Sequence, residues 1–261
     1  MPIVLMTDFG NAGNYVGTLK GVLAKITPDE PVLDLTHEIP PFDILQGALT
    51  LYQSYQFFPD DSIFVVVVDP GVGSPRKPIL AKTDHYTFIA PDNGVLTWVL
   101  AYEKNFSLFH LDNPEYHLPV VSETFHGRDI FAPVAAHWSK GVDLLKLGSP
   151  LDDYLKLEEC FPTSEGDQVL GKVISIDRFG NAITNLHRQL LESSFPQRKF
   201  TLRFKGKRRK PLEKLSLHYA EGKVGEIMML YGSSNFLEIS VNQGSAAEKL
   251  KINRGQEVIL S

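Results

Sequence analysis

Short apolar segments alternate with longer amphipathic segments throughout residues 1–148, and no other feature of the chain limits its fold as much. The predicted strands are 2–7, 32–35, 63–68, 79–83 and 86–90. The predicted helices, in which apolar residues recur at helical spacing, are 14–26, 44–55, 94–102 and 129–139. Segment 63–68 is rich in β-branched and aromatic residues, as is typical of a strand buried on both faces. This alternation predicts an α/β domain with a mostly parallel sheet flanked by helices.

The pattern changes after Gly148. Residues 149–167 contain Asp, Glu, Pro and Gly with little periodicity, which indicates a linker. Residues 168–261 contain short strands separated by tight turns, a pattern that favours an antiparallel β-barrel domain. We therefore expect two domains, 1–148 and 168–261.

Charge and cysteine content exclude several classes of partner and compartment. The formal net charge is −5, so a general attraction to nucleic acid or to a membrane is not expected. The one dense basic run, 205–210, is expected to be a solvated turn. A single cysteine, Cys160, favours a reducing compartment. Segment 1–10 reads as a strand and not as an export signal, and no apolar run approaches the roughly 20 residues of a membrane span, so the expected location is cytoplasmic.

Acidic residues lie in or just after three of the predicted strands. Asp8 follows the first, Asp34 lies within the second, and Asp69 follows the third. Open α/β sheets bind ligands beyond the carboxyl ends of their strands, where grouped carboxylates can hold ribose hydroxyls, a metal or a water molecule. Any one of the three could instead cap a turn, because Asp commonly does so.

Two further segments of the first domain carry candidate functional side chains. Loop 69–76 has two glycines and two prolines, and its terminal Arg76 could pair with Asp69, but it lacks the Gly-Lys-Ser/Thr ending of a phosphate loop. His126 precedes a predicted helix start and could be an exposed functional imidazole, although its position taken alone favours an ordinary surface histidine. Phe42 follows two prolines and could present a rigid aromatic face to a flat ring or a sulfonium, or could belong to the core.

The second domain has two comparable segments. In 177–185, Gly180-Asn181 suits a hairpin turn, and an Asn side chain can also donate to and accept from a purine edge. Segment 232–242 places serine hydroxyls before a strand that carries Glu238.

Together these motifs resemble the S-adenosylmethionine hydroxide adenosyltransferase family, the adenosine-forming S-adenosylmethionine hydrolases, which are related to the fluorinase and chlorinase enzymes. The matching motifs follow the family order along nearly the whole chain. They are Thr7-Asp8-Phe9-Gly10, Tyr15-Val16-Gly17, Asp34–Asp43, Asp69–Arg76, Pro91-Asp92-Asn93-Gly94, Phe125–Pro133, Asp177–Asn181 and Ser233–Asn242.

The resemblance implies an enzyme that cleaves the ribose C5′–S bond of S-adenosyl-L-methionine with water, giving adenosine and L-methionine, without metal or cofactor. It also implies a homotrimer with active sites between the N-domain of one subunit and the C-domain of its neighbour. The implied catalytic residues are Asp69, Arg76 and His126. The implied substrate-binding residues are Asp8, Phe42, Asp177, Phe179, Asn181, Ser233, Ser234, Glu238, Val241 and Gln243.

The chain departs from the family pattern at two positions and matches its water-using branch at two others. Gly13 stands where relatives often have an acid, and Ser234 stands where the fluorinase has an arginine near the methionine carboxylate. Gly127 replaces the fluorinase's halide-holding serine and Asp69 its tyrosine, which implies water as the nucleophile.

Three alternatives stay open from the sequence. The first is a halogenase of the same family. The second is a metal-dependent hydrolase built on the same Asp and His residues, although no His-x-His or His-Glu-x-x-His spacing is present. The third is a module that binds S-adenosylmethionine or adenosine without chemistry.

Overall fold

The protein is described by a computed structural model that covers residues 1–103, 105–197 and 199–261. It is an α/β protein with two compact units, Met1–Leu157 and Glu158–Ser261, each built on one sheet. The segment predicted as a linker, 149–167, contains two short strands and a 3-10 turn at Glu158–Cys160.

The first unit contains a seven-stranded sheet with the order β2-β1-β3-β5-β4-β6-β7. Its strands are β1 (Ile3–Thr7), β2 (Val32–Thr36), β3 (Ile63–Val67), β4 (Pro78–Thr83), β5 (Thr87–Pro91), β6 (Phe106–His110) and β7 (Ser149–Leu151).

This sheet is mixed, so the expected mostly parallel arrangement holds only for part of it. Strands β2, β1, β3 and β5 are parallel, whereas β4, β6 and β7 pair antiparallel. The physical reason is the short connection between β4 and β5, because a parallel pair needs a crossover of a dozen or more residues. The parallel strands are the ones that carry the candidate acidic residues.

Helices pack on both faces of this sheet. They are α1 (Tyr15–Ile26), α2 (Ile44–Ser54), α3 (Thr97–Tyr102), α4 (Ala132–Ser139) and α5 (Leu144–Leu147). Alternate residues of β3 point to opposite faces, so Val65 joins the cluster with α1 and α4 while Phe64 joins the cluster with α2 and α3. The prediction that 63–68 is buried on both faces is confirmed.

The predicted helix over 129–139 begins earlier, as a π-helical turn at Gly127–Phe131 that leads into α4. Asp129 is fully buried in this turn, where the Arg128 guanidinium donates to both of its oxygens at 2.6 and 2.9 Å. Asp129 also accepts from the backbone N–H of Ser122 at 2.8 Å. These bonds fix the loop that carries His126, since π turns are short and need tertiary support.

The second unit contains an eight-stranded sheet with the path β11-β15-β9-β10-β14-β13-β12, and β8 pairs with β9 beside it. Its strands are β8 (Thr163–Glu165), β9 (Gln168–Ile176), β10 (Ala182–His187), β11 (Leu202–Phe204), β12 (Leu215–Ser216), β13 (Ile227–Tyr231), β14 (Phe236–Val241) and β15 (Glu257–Leu260). The pairs are antiparallel except β12 with β13, and the sheet forms a curled half-barrel.

Two short helices, α6 (Arg188–Ser194) and α7 (Ala246–Leu250), complete the second unit. Leu191 and Leu250 from these helices pack into its hydrophobic core. Among the helices of the described ranges, none is long and apolar enough to cross a membrane.

Candidate active site

The carboxyl ends of β1 and β3 open into a cavity of about 350 Å³ in the first unit. Asp8 follows β1 and Asp69 lies two residues after β3, so adjacent parallel strands bring the two carboxylates to one edge of the sheet. The lining residues are Asp8, Phe9, Tyr15, Pro41, Phe42, Val67, Asp69, Val72, Thr124, Phe125, His126 and Gly127.

Asp69, Arg76 and His126 form one hydrogen-bonded cluster at this cavity. Arg76 Nε donates to Asp69 Oδ1 at 2.9 Å, and Arg76 Nη2 donates to Asp69 Oδ2. Arg76 Nη2 also lies 2.8 Å from His126 Nδ1. The Asp69 and Arg76 side chains are only 5% and 8% exposed, so this ion pair is shielded from water. The structure thus brings together the three residues that the resemblance implies are catalytic.

The contact between Arg76 and His126 fixes which histidine nitrogen carries the proton. A guanidinium can only donate, so His126 Nδ1 must accept and the imidazole proton lies on Nε2. Burial lowers the pKa of His126 below its ordinary value of 6.5, and the charge of Arg76 lowers it further, although Asp69 opposes this. His126 is therefore a neutral N–H donor near pH 7.

We expect His126 to titrate below 6.5 and to titrate higher when its cationic neighbour is removed. In Arg76→Gln the lowering charge is gone while Asp69 still favours the imidazolium, so the pKa of His126 should rise. Imidazole carbon–proton correlation spectra recorded from acid to neutral pH would measure both values. Because the chain has 8 histidines, His126→Asn is needed to assign the signal.

The lowered pKa of His126 also sets the direction in which activity and stability change with pH. As the pH falls through the lowered value, protonation at Nδ1 removes the acceptor for Arg76, so turnover should be flat near neutrality and decline only in acid. The unfolded chain takes up this proton at a higher pH than the folded one, so the contribution of His126 to stability is present above 6.5 and is lost as the pH falls below it. A wild-type His126 that titrates above 6.5 would contradict this assignment.

The buried Arg76 has one more donor available. Its Nη1 atom has no hydrogen-bond partner among residues 1–103, 105–197 and 199–261. A buried unpaired donor is unfavourable by about 1–3 kcal/mol, so this N–H group destabilises the closely packed cluster locally.

Asp8 and Phe42 are joined across two loops. The backbone N–H of Phe42 donates to Asp8 Oδ2 at 2.9 Å. Burial raises the pKa of Asp8, with a further contribution from the charge of Asp69, while the Phe42 hydrogen bond opposes the rise. The ring of Phe42 is 70% exposed, so its aromatic face lies open and is not part of the core.

Phe42 has a strained backbone, with φ at +67°. A non-glycine residue in the left-handed region is destabilised by roughly 1–2 kcal/mol, and such strain is concentrated at functional sites. The strain is held by the Asp8 hydrogen bond and by the N-cap of α2, where Asp43 accepts from Gln46.

Tight packing shapes the loops around the cluster. Gly73 has φ at +78°, and a Cβ there would lie 2.5 Å from the backbone oxygen of Glu123. A Cβ on buried Gly127 would lie 3.3 Å from Val67, so even a small side chain would press on the end of β3. Both glycines allow the loop of His126 to approach the loop of Asp69.

Asp34 does not join the cavity. It lies in β2 and contacts Lys20 Nζ at 2.6 Å and His37 Nε2 at 3.1 Å. The expected group of three strand-end carboxylates is therefore a group of two. The described residues contain no set of three or more His, Cys, Asp or Glu side chains arranged to hold a metal ion.

The second unit has its own cavity, of about 860 Å³. Of the residues that the sequence points to in this unit, Ser234 alone does not line it. The lining residues are Asp177, Phe179, Asn181, Leu217, His218, Tyr219, Leu230, Tyr231, Gly232, Ser233, Glu238, Val241, Gln243, Gly244 and Ser245.

Asp177 organises the turn that carries Phe179 and Asn181. Its Oδ1 accepts from the backbone N–H groups of Phe179 at 2.9 Å and Asn181 at 2.8 Å. Its Oδ2 accepts from the side-chain amide of Asn181 at 2.9 Å. Phe179 is held at the tip with 78% of its surface exposed, so its ring is open to a planar ligand.

Glu238 is the buried acidic group of this cavity. Burial raises its pKa, the Tyr219 hydroxyl that donates to Oε2 at 3.0 Å lowers it, and the charge of Asp177 raises it. A Cβ on Gly232 would lie 1.8 Å from Glu238 Oε1, so any other residue at position 232 would displace this carboxyl from its present position.

Several aromatic residues at the two cavities were missed by the sequence reasoning. Phe125 packs edge-on against Phe9 and Tyr15 in the first unit, and Tyr219 lines the cavity of the second. Tyr15 and Phe125 lie in recognised motifs, so their motif membership was a usable signal. Tyr219 lies in a segment without any periodic or motif signal.

The two cavities define a protein that offers a shielded polar cluster and open aromatic faces to a small ligand. Comparison with known proteins identifies the family. Residues 3–148 match the model of the SAM hydroxide adenosyltransferase N-terminal domain, and residues 171–259 match the model of the SAM hydroxide adenosyltransferase C-terminal domain. The chain belongs to this family.

Individual relatives match over almost the whole chain. A Thermus thermophilus protein named (R)-S-adenosyl-L-methionine hydrolase is 35% identical, with 99% of each chain covered. A solved structure, of an uncharacterized conserved protein from Thermotoga maritima, is 36% identical and covers 99% of both chains with a TM-score of 0.87. A fluorinase from Nocardia brasiliensis is more distant, at 27% identity over 98% of this chain and 95% of its own.

Proposed function

We propose that this protein is an enzyme that hydrolyses S-adenosyl-L-methionine to adenosine and L-methionine. Full-length relatives at 32–35% identity carry the hydrolase name, and the fluorinases are more distant. The observation that carries the proposal is the shielded Asp69–Arg76–His126 cluster beside Asp8 in one cavity.

The reaction needs an activated and oriented water molecule more than it needs an acid. Water attacks the ribose C5′ carbon, the C5′–S bond breaks, and its electron pair returns to sulfur, which becomes the neutral thioether of methionine. One proton is released from the attacking water. The sulfonium is already a good leaving group, whereas free water, with a pKa of about 15.7, is a poor nucleophile.

Asp69 is the group we assign as proton acceptor. His126 Nδ1 is occupied by the Arg76 N–H and its Nε2 already carries a proton, so neither nitrogen is available as a base. Asp69 keeps unused lone pairs beyond the two that Arg76 engages. Arg76 holds the Asp69 carboxylate in place and His126 Nε2–H orients the water oxygen, which is a positioning effect and needs no metal or cofactor.

The charge of the site favours water over halide. Two carboxylates, Asp8 and Asp69, lie at the cavity of the first unit against the single positive charge of Arg76, so the remaining negative charge would repel a halide ion and attract a sulfonium cation. Gly127 also lacks the hydroxyl of the fluorinase serine. The halogenase alternative is therefore not favoured.

The remaining substrate contacts divide between the two cavities. We assign the ribose hydroxyls to Asp8 and one face of the ligand to Phe42. We assign the adenine to Phe179 and Asn181, with Glu238, Val241 and Gln243 nearby, and the methionine end to Asp177, Ser233 and Ser234. Ser234 is the weakest of these assignments, because it does not line the cavity.

We further propose a homotrimer in which a neighbour's second unit, closed into a barrel, completes each active site. Exposed large apolar side chains support this proposal, since Phe42, Phe179 and Leu217 are 70%, 78% and 82% exposed. Exposed apolar groups at a ligand cavity are characteristic of surfaces that another subunit or the ligand covers. A reducing cytoplasm would suit the buried thiol of Cys160.

Incubation of the protein with S-adenosyl-L-methionine in ¹⁸O-water tests the reaction. We expect heavy oxygen on the 5′ position of adenosine, with unlabelled methionine. Because the relatives' name specifies the (R) form, the two sulfonium epimers should be assayed separately, and we expect the (R) epimer to react faster.

Two further arms of this experiment decide the alternatives. Chloride should yield no 5′-chloro product, and a chelator should leave the rate unchanged. Tight binding without any adenosine would show a non-catalytic module, and activity that is lost in chelator and restored by a metal would show a metalloenzyme.

A further inference from the structure

A second cluster of polar side chains, centred on His37, lies beside the proposed ribose site, and the proposed reaction does not use it. His37 is 3% exposed, and its Nδ1 lies 2.9 Å from the hydroxyl of Thr7, which is fully buried. On its other side, His37 Nε2 lies 3.1 Å from Asp34 Oδ1, an ion-pair distance without the alignment of a good hydrogen bond. Lys20 contacts the second oxygen of Asp34.

The charge of Asp34 determines which atom donates and which accepts in each of these contacts. The Asp34 carboxylate favours the proton on His37 Nε2, which leaves Nδ1 to accept the Thr7 hydroxyl proton. Burial acts to raise the pKa of Asp34, but the hydrogen bond from Lys20 and the contact with His37 outweigh it and hold the pKa below its usual value. Asp34 is thus a stable anion at the outer end of the cluster.

These are the residue types of a nucleophilic triad, but the geometry excludes that role. Thr7 Oγ1 has no exposed surface, so no substrate atom can reach it. Thr7 Oγ1 also accepts a hydrogen bond from the backbone N–H of Phe9 at 3.2 Å, so its hydrogen bonds are made within the protein. The cluster acts on the protein's own backbone.

The backbone segment that the cluster holds is the one that carries Asp8. Thr7 and Phe9 flank Asp8, and both are hydrogen-bonded to the Thr7–His37 pair. The carbonyl of His37 also accepts from the N–H of Gly10 at 2.8 Å, so His37 contacts both ends of segment 7–10. His37 also begins the loop that leads to Phe42, whose N–H binds the Asp8 carboxylate. The imidazole and the backbone carbonyl of His37 therefore join the two loops that present Asp8 and Phe42.

We infer that Thr7, His37 and Asp34 form a positioning triad that fixes the carboxylate of Asp8 for the ribose hydroxyls of the substrate. The inference rests on the proposed function, because it takes the ligand to be a nucleoside sulfonium. It predicts that damage to the triad weakens substrate and adenosine binding more than it slows bond cleavage, since the triad does not contact the reacting atoms.

Thr7→Val tests this inference, because it keeps the side-chain shape and removes the hydroxyl. We expect the KM for S-adenosyl-L-methionine and the Kd for adenosine to rise about tenfold while kcat changes less than about threefold, the pattern of lost uniform binding. Thr7→Ser restores the hydroxyl and should return both constants to near the wild-type values.

Thr87→Val is the matched control for stability. Thr87 is a 1% exposed threonine of the same sheet whose hydroxyl accepts from Trp138 Nε1 at 3.0 Å, and it does not line the cavity. It should lower the melting temperature and leave KM unchanged. Asp34→Asn is a second test at a side chain that is 39% exposed, where we expect KM to rise about threefold.

The outcomes separate this inference from the proposed function. A wild-type protein that forms no adenosine overturns the function. If the wild type is active but Thr7→Val binds adenosine as tightly as Thr87→Val does, or if Thr7→Ser is as impaired as Thr7→Val, the positioning triad is wrong. Should Thr7→Val fail to fold, the KM of Asp34→Asn decides alone.

Discussion

Asp69→Asn is expected to lower kcat by about 10²–10⁴-fold, the range typical of a lost general base. The amide has nearly the same shape, and its oxygen can still accept one N–H from Arg76. It cannot take the proton of the attacking water. Substrate affinity should change only a few-fold, because water and not substrate is the assigned partner of this carboxylate. Steady-state kinetics, with adenosine release measured by chromatography, gives kcat and KM separately.

A nearby acid provides the control for charge alone. Glu123 is exposed in the same loop as His126 and influences its pKa, but it does not line the cavity. Glu123→Gln should therefore leave kcat unchanged. If Asp69→Asn instead raised KM with kcat intact, Asp69 would be a binding group and the proton acceptor would have to be sought elsewhere.

Co-expression of two inactive variants is expected to restore activity if each active site uses two subunits. Asp69→Asn disables the cavity of the first unit, and Phe179→Asp places a charge on the open aromatic face of the second. Phe179 is 78% exposed, so this change should not disturb folding. In randomly mixed trimers about a quarter of the sites pair two undamaged halves, so activity should recover to about a quarter of the wild-type value.

The control for this experiment is mixing without subunit exchange. The two variants purified separately and combined briefly should stay inactive, whereas differently tagged, co-expressed and doubly purified assemblies should be active. Light scattering gives the subunit number of the same samples. Activity that never recovers in mixed assemblies of confirmed composition would place both halves of the site in one subunit.

The two predictions test the two parts of the proposed active site, one in each unit. In the first unit, buried charges are paired so tightly that Asp69, Arg76 and His126 have little freedom to reorganise. In the second, the aromatic ring of Phe179 is exposed, and its turn is fixed by Asp177 and by the hydrogen bond from Ala247 N–H to the Gly180 carbonyl. A rigid polar cluster suits the orientation of water, and an open aromatic face suits a planar base.

The local pattern of apolar residues was sufficient to predict most strands and helices of the fold. The period of apolar residues gave β1, β3, α1 and α2 within one or two residues, because their burial depends on residues close in sequence. It failed for β6 and β7, which were not predicted. Their antiparallel addition to the sheet depends on pairing of β6 with β4 and of β7 with β6, contacts that are distant along the chain.

The residues of the candidate site could be proposed from the sequence, but their geometry could not. Residue types and motif order were enough to nominate Asp69, Arg76 and His126, because a charged residue in a glycine- and proline-rich loop is conspicuous in a sequence. Only the tertiary structure decided that Arg76 Nη2 touches both partners, that His126 is the neutral Nε2–H form, and that Asp34 turns away to His37. The contact between Arg76 and His126 joins atoms that lie 50 residues apart along the chain, and local sequence carries no information about its hydrogen-bond direction or its burial.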